Sequence, residues 1–274
     1  MKFDLDKAWR DAMSLLKANL GLLVTIAGVF YFLPYAAATS FIPEMSQLAN
    51  PGAGMNADAM MAVMQSMVAK YWWLFLALMI VGGIGNLAML ALMRQRAKPT
   101  VAEALETGVK SIATYLGAQV IQAGLIVLVI FFLVGLPGVV GGRALAALGM
   151  VLAFVVTLYI IIKLTLVSPV IAMDGEMNPV AAIRKSWTLT KGNSLRLFLF
   201  FALLVIAFLV ISSVVSLVAT LLLAFASAEI ASFGMAVVEA ATNAIAVVVG
   251  ACILAAIHAQ LARLHSRDEI TIEI

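Results

Sequence analysis

Long apolar stretches alternate along this 274-residue chain with short segments whose polar residues recur on one side of a helical repeat. The apolar stretches fall at 20–42, 71–93, 115–136, 144–171, 195–226 and 233–262. Each is nearly free of charge over the roughly 20 residues that a bilayer core requires, which predicts six membrane-spanning helices. Three intervening segments predict amphipathic helices. In the first, Leu5, Ala8, Trp9, Ala12 and Met13 share one face while Asp4, Lys7, Arg10, Asp11 and Lys17 take the other. In the second, Val101, Leu105, Gly108, Val109 and Ile112 form the apolar stripe. In the third, Val180, Ile183 and Trp187 do, with Arg184, Lys185 and Lys191 facing out. Helices of this kind are expected to lie in the headgroup plane, with Trp9 and Trp187 at interface depth.

The amphipathic segments resemble one another. Residues 8–19 read AWRDAMSLLKAN and residues 182–193 read AIRKSWTLTKGN, so Ala8, Arg10, Leu15, Lys17 and Asn19 match Ala182, Arg184, Leu189, Lys191 and Asn193. A weaker copy, AEALETGVKSIA, begins at Ala102. The expected fold is therefore all-α: one integral membrane domain over 1–274, a bundle of about six spans in three units, 1–97, 98–177 and 178–274. Each unit is an amphipathic lead-in followed by two spans.

Composition agrees, because 64% apolar residues, 11% charged residues and a mean hydropathy of +1.11 leave too little polar surface for a water-soluble shell. The formal charge of +3 is read as a topology signal rather than as a nucleic-acid footprint. Lys2, Lys7, Arg10 and Lys17 precede the first span, and Arg94, Arg96, Lys98 and Lys110 separate the second from the third. Arg184, Lys185, Lys191 and Arg196 separate the fourth from the fifth, and Arg263 and Arg267 follow the sixth. The opposite side has only Lys70 and Arg143. Both termini are thus expected in the cytoplasm, with the chain in a bacterial inner membrane. A cleaved signal peptide ending near Ala36–Ala38 is the competing reading of the N-terminus, and the recurrence of the same pattern at 182 argues against it. Cys252 is the single cysteine, so no intrachain disulfide or thiolate cluster is expected.

The stretch SPVIAMDGEMNPVAAIRKSWTLTKGN, residues 168–193, carries a family resemblance through Pro169, Asp174, Gly175, Ala182, Ser186, Trp187, Lys191 and Gly192. It resembles a family of uncharacterised bacterial six-span inner-membrane proteins, related to the membrane domain fused to some glycerophosphodiester phosphodiesterases. The resemblance implies fold and location. It brings no activity, because the phosphodiesterase domain is absent from this sequence. Read by residue type alone, Pro169 weakens the fourth span near its inner end, and Asp174 with Gly175 makes a turn. Asn178 caps a helix begun by Pro179, and Gly192 ends it.

Polar groups within the spans are the remaining place for function. Counted from the inner ends, Asn86, Gln119, Gln122 and Lys163 lie at comparable depth and form a candidate pocket for a phosphate or glycerol headgroup. The alternative is that Lys163 snorkels and the amides bond between helices. Arg10, Lys17, Arg184, Lys185 and Lys191 form a candidate interfacial collar for anionic phospholipid. Gly82, Gly83 and Gly85 suit close helix packing, with a helix break near Asn86 as the alternative. The outer loop from Pro43 to Lys70 contains Met45, Met55, Met60, Met61, Met64 and Met67, read as a helix face in preference to a copper site. His258 and His265 have no carboxylate or cysteine at ligand spacing, and no catalytic motif is present. No catalytic residue, metal or cofactor is expected. The expected role is a non-catalytic membrane protein that binds or organises lipids, or scaffolds membrane protein partners in envelope maintenance. The alternative is a small-molecule or lipid transporter or channel.

Overall fold

The computed structural model describes residues 2–42, 44, 56–94 and 99–272, and of 40, 41 and 267–272 the backbone alone. Arg96, Lys98, Met45 and Met55 lie outside the described residues, as does the side chain of Arg267. Every described regular element is helical: α1 Leu5–Ala27, a π-turn Gly28–Phe32, α2 Leu33–Phe41, α3 Ala57–Leu92, α4 Val101–Ile130, a π-turn Phe131–Gly135, α5 Leu136–Leu164, α6 Val167–Asp174, α7 Pro179–Leu189, α8 Ser194–Leu223 and α9 Ala228–Ile272. Among the described residues, five helical stretches are long and apolar enough to cross a membrane. One of them, Val101–Asp174, folds back on itself at Gly142, where φ is +72°, and so supplies two of six crossing-length segments. Only glycine adopts that conformation without strain. The hairpin arms then approach so closely that a Cβ on Gly149 would overlap the Leu133 carbonyl.

Helix starts follow side-chain capping. Asp4 accepts from the Lys7 N–H, Asn56 from the Ala59 N–H, and Thr100 with Glu103 closes a reciprocal capping box before α4. Asn178 caps α7, Pro179 opens it and Gly175 ends α6 in the left-handed region, as the residue types predicted.

Two expectations are corrected. The first two lead-ins are not separate helices in a headgroup plane, because α1 runs without interruption into the first apolar stretch and α4 into the third. Nothing between lead-in and span can stop a helix there: Ala18 and Ile112 stand where the third copy has Gly192. Gly192 has a φ of +79°, and only α7 is set off from the span that follows. The fourth span ends at Leu164 rather than 171, since Pro169 has no N–H for the Thr165 carbonyl and its ring excludes that carbonyl from the helix. Residues 57–70 are helical and run on through a kink at Tyr71, so Met60, Met61, Met64 and Met67 stand on a helix, as the helix-face reading expected, although it falls in the stretch read as the outer connection. The α3 helix is unbroken at Asn86. Its glycines admit neighbours instead: Gly82 and Gly85 face Tyr31 and Phe30, and Gly83 faces Ile112 and Tyr115.

Burial is uneven. The core gathers at the end where Phe3 and Asp4 meet Asn193 and Gln260, from Phe3, Ala8 and Ala12 through Leu87–Leu92 and Leu166–Ala172 to Ala251–Leu261. We call this end the rim. Beyond it the outer halves of α5 and α8 expose apolar side chains along much of their length, Val151, Phe154, Leu203 and Leu217 among them. In a membrane protein such a surface meets lipid tails, so its exposure costs little.

Candidate functional site

The break after α5 creates a corner, and polar groups of α7 hold it. The Ser186 hydroxyl donates to the Lys163 carbonyl at 2.8 Å and accepts from the Leu166 N–H at 3.2 Å, so one buried side chain serves both orphaned backbone groups. Ser186 is the third-copy equivalent of Ala12, and both are fully buried. The Lys163 side chain, 3% exposed, runs inside this corner. Its ammonium lies 5.6 Å from the Tyr159 ring centroid and 5.4 Å from that of Trp187. The two rings meet edge to face at 5.7 Å. The charged group that acts on this ammonium is Lys191, a like charge.

A second cluster ties three elements together. Asp174, the last residue of α6, places Oδ2 at 2.9 Å from Nε2 of His258 on α9 and at 2.9 Å from Nζ of Lys185 on α7. Burial works against ionisation of Asp174, but the hydrogen bonds and charges of His258 and Lys185 outweigh it and hold the carboxyl below its usual range. No carboxylate lies at ligand spacing from His258; the one that reaches it comes from 84 residues away in sequence, beyond any spacing rule. A histidine oriented by a carboxylate is a component of acid–base chemistry. Here the other ring nitrogen, Nδ1, is buried without a partner, and Asp174 is shared with Lys185.

The N-terminal residues form a third tie. Asn193 Oδ1 accepts from the Phe3 N–H at 2.8 Å, and Arg196 Nη1 donates to the Phe3 carbonyl at 2.9 Å. The Gln260 amide, oriented to satisfy both groups, donates to the Asp4 carbonyl at 3.2 Å and accepts from the Asp4 N–H at 3.0 Å. The Phe3 ring is fully buried, edge to face with Phe200 at 5.9 Å. Beside this anchor a cleft of about 180 Å³ opens between the turn after α7 and the end of α9, lined by Thr188, Lys191, Gly192, Asn193, Leu264 and His265 among others.

The sequence-predicted residues sort unequally onto this geometry. Arg10, Lys17, Arg184, Lys185 and Lys191 are all exposed. Trp9 and Trp187 are about 40% exposed, as residues at an interface are. Pro169 is buried in the first turn of α6, and Asp174, Gly175, Ser186 and Trp187 line or brace the corner. The amide pocket does not assemble around Lys163, whose ring partners are Tyr159 and Trp187. Gly83 packs on Ile112 and Tyr115, and Gly108 packs on Ile84. That register sets Asn86 level with the lead-in part of α4, so Gln119 lies about 15 Å farther along the helix pair and Gln122 farther still. Sequence reasoning did not find Phe3, Asn193, Arg196, Gln260 or the partner of His258. Asn193 alone carried a signal, since it recurs in the repeat at Asn19.

In comparisons with known proteins, residues 138–265, a little under half of the chain, match the family described as the membrane domain of glycerophosphoryl diester phosphodiesterase. The chain is thus similar to that domain from the α5 hairpin through most of α9, the region that contains Lys163, Asp174, Ser186, Trp187 and His258. No curated protein and no solved structure was found to match it.

Proposed function

From the premise of a multi-pass membrane protein related to the membrane domain of glycerophosphoryl diester phosphodiesterase, we propose that this chain is a non-catalytic lipid-binding protein whose basic rim gathers anionic phospholipid. In this reading the rim faces the cytoplasm of a bacterial inner membrane. The observation that carries it is the coincidence of three features at one end of the molecule: the packed core, the exposed cations Arg10, Lys17, Arg184, Lys185 and Lys191, and the two half-exposed tryptophans. A cation held at headgroup depth attracts an anionic lipid by about 1 kcal/mol, so a ring of five concentrates such lipid without any catalytic machinery. Distribution of basic residues supports the orientation, since loops rich in lysine and arginine are retained on the cytoplasmic side.

Native mass spectrometry of protein released from nanodiscs containing both phosphatidylglycerol and phosphatidylcholine tests the proposal. The expected result is a clear excess of retained phosphatidylglycerol, reduced when Arg10, Lys17 and Arg184 are replaced together by glutamine. Equal retention of both lipids by the unaltered protein would contradict it.

A further inference from the structure

We infer that Lys163 and Lys191 form a binding site for one phosphate-bearing anion at the corner between α5 and α7, with Tyr159 and Trp187 as its walls. The inference rests on the reading of the rim as a collar for anionic lipid, and names a place in it where a headgroup is gripped rather than loosely attracted.

Lys163 is 3% exposed with its ammonium against the Tyr159 and Trp187 rings, and the residue that follows Thr190, whose hydroxyl lies 3.5 Å from the Lys163 carbonyl, is Lys191, a like charge. Other ions are arranged otherwise: Asp174 holds Lys185 and is hydrogen-bonded to His258, and Lys7 and Lys110 each hold a carboxylate four residues away. A sequestered ammonium is costly unless an anion compensates it. The faces of Tyr159 and Trp187 offset part of that cost through their quadrupoles, but they bring no net negative charge, so the corner keeps its excess of positive charge.

Rigidity comes next. Ser186 fixes the Lys163 carbonyl to α7, and the Lys191 N–H is bonded to the Thr188 carbonyl at 3.1 Å in the turn that Gly192 completes. Both cations therefore stand on a braced corner, and the edge-to-face contact of Tyr159 with Trp187 fixes the walls. Lysine serves phosphate as a compact point charge, and two lysines with no carboxylate bonded to either among the described residues match the charge of a phosphate ester. Trp187 is 40% exposed, so the site is open at the level where lipid headgroups lie.

The ligand's shared chemistry is the phosphate group, carried on a lipid or free in solution, and the experiment separates the two sources. Wild type, Lys163→Met, Lys191→Gln and the control Lys110→Gln are titrated by native mass spectrometry with phosphatidylglycerol, phosphatidylcholine and inorganic phosphate. Methionine keeps the buried stem of Lys163, and Lys191 is exposed, so the second variant reports even where the first folds poorly. The expected result is binding weakened about tenfold or more in Lys163→Met and several-fold in Lys191→Gln, with Lys110→Gln unchanged. A Lys163-dependent effect confined to phosphatidylglycerol identifies a lipid headgroup, and one seen with inorganic phosphate identifies the free ion; either supports the site. Retention of all ligands by both Lys163→Met and Lys191→Gln at the wild-type level overturns it. If the wild type prefers phosphatidylglycerol and both variants keep that preference, the site fails and the collar stands. If the wild type shows no lipid preference but loses phosphate binding with Lys163→Met, the collar fails and the site stands.

Discussion

The first and third copies of the repeat begin alike and end differently. Ala8 and Ala12 are buried in one, Ala182 and Ser186 in the other, so both lead-ins press the same small face into the core. Ten residues beyond Ala8 the first copy has Ala18, and helix α1 runs on; ten residues beyond Ala182 the third has Gly192, and the helix stops. The halt turns α7 into a free-standing rim helix that can lie across the broken end of α5. Ser186, Trp187 and Lys191 then meet Lys163 at a corner for which the first copy has no counterpart. At the position where the copies part, Ala18 continues a helix into the apolar stretch, and Gly192 completes the turn after a helix that roofs the corner.

Substitutions can break the link between the copies or sharpen the contrast. The largest effect is expected at Phe3, whose fully buried ring packs edge to face on Phe200 and so joins the start of the chain to the helix that follows the third copy. Phe3→Ala should cost about 3–5 kcal/mol, read as a lower midpoint in detergent-titrated unfolding. A loss under about 1 kcal/mol would show that the two copies are held by other contacts. Next comes Ser186→Ala, which gives the third copy the alanine of the first, strands the Leu166 N–H and leaves the Lys163 carbonyl only the Thr190 hydroxyl at 3.5 Å. About 1–3 kcal/mol is expected, in the same assay, against no change for the reverse reading in which water replaces the hydroxyl.

A reciprocal exchange at the divergent position follows. Gly192→Ala forces a left-handed alanine although no atom lies within 4 Å of the new methyl, and should cost about 1–2 kcal/mol. Ala18→Gly should cost about 1 kcal/mol through helix propensity alone and create no second corner. Equal and negligible effects would remove the backbone explanation of the difference.

The smallest effect is pH-dependent. Because His258 and Lys185 hold the Asp174 carboxyl below its usual range, its contribution to stability is present above the ordinary carboxylate pKa and is lost as the pH falls through the lowered one. Removing one cation with Lys185→Met raises that lowered value, so the acid limb of Tm against pH should move upward. An unmoved limb would exclude Asp174 as its source.

Much of this fold is readable from the chain, and the reason is local. The spans follow from composition, and the caps at Asn178 and the stop at Gly192 follow from residues whose conformational preferences act on their own backbone. The continuity of α1 was readable in principle, since Ala18 is visible beside Gly192, but the shared polar pattern outweighed it. The candidate site was half visible. Lys163, Ser186 and Trp187 drew attention as a buried charge or as a motif, whereas their meeting depends on a break placed by Pro169. The amides at Asn86, Gln119 and Gln122 were misaligned because helix register is set by Gly83 and Gly108 packing on the opposite helix, not by counting from span ends. Contacts such as Asp174 with His258, or Phe3 with Asn193, join residues 84 and 190 positions apart and leave no periodic trace.

The account stands on the corner between α5 and α7 as the place where the rim engages anionic lipid. Hydrogen–deuterium exchange of the protein in nanodiscs of phosphatidylglycerol, compared with nanodiscs of phosphatidylcholine, tests that most directly. Slower exchange over residues 184–193 in phosphatidylglycerol, with residues 8–19 much less affected, is the expected result. Identical exchange over 184–193 in the two lipids would contradict it.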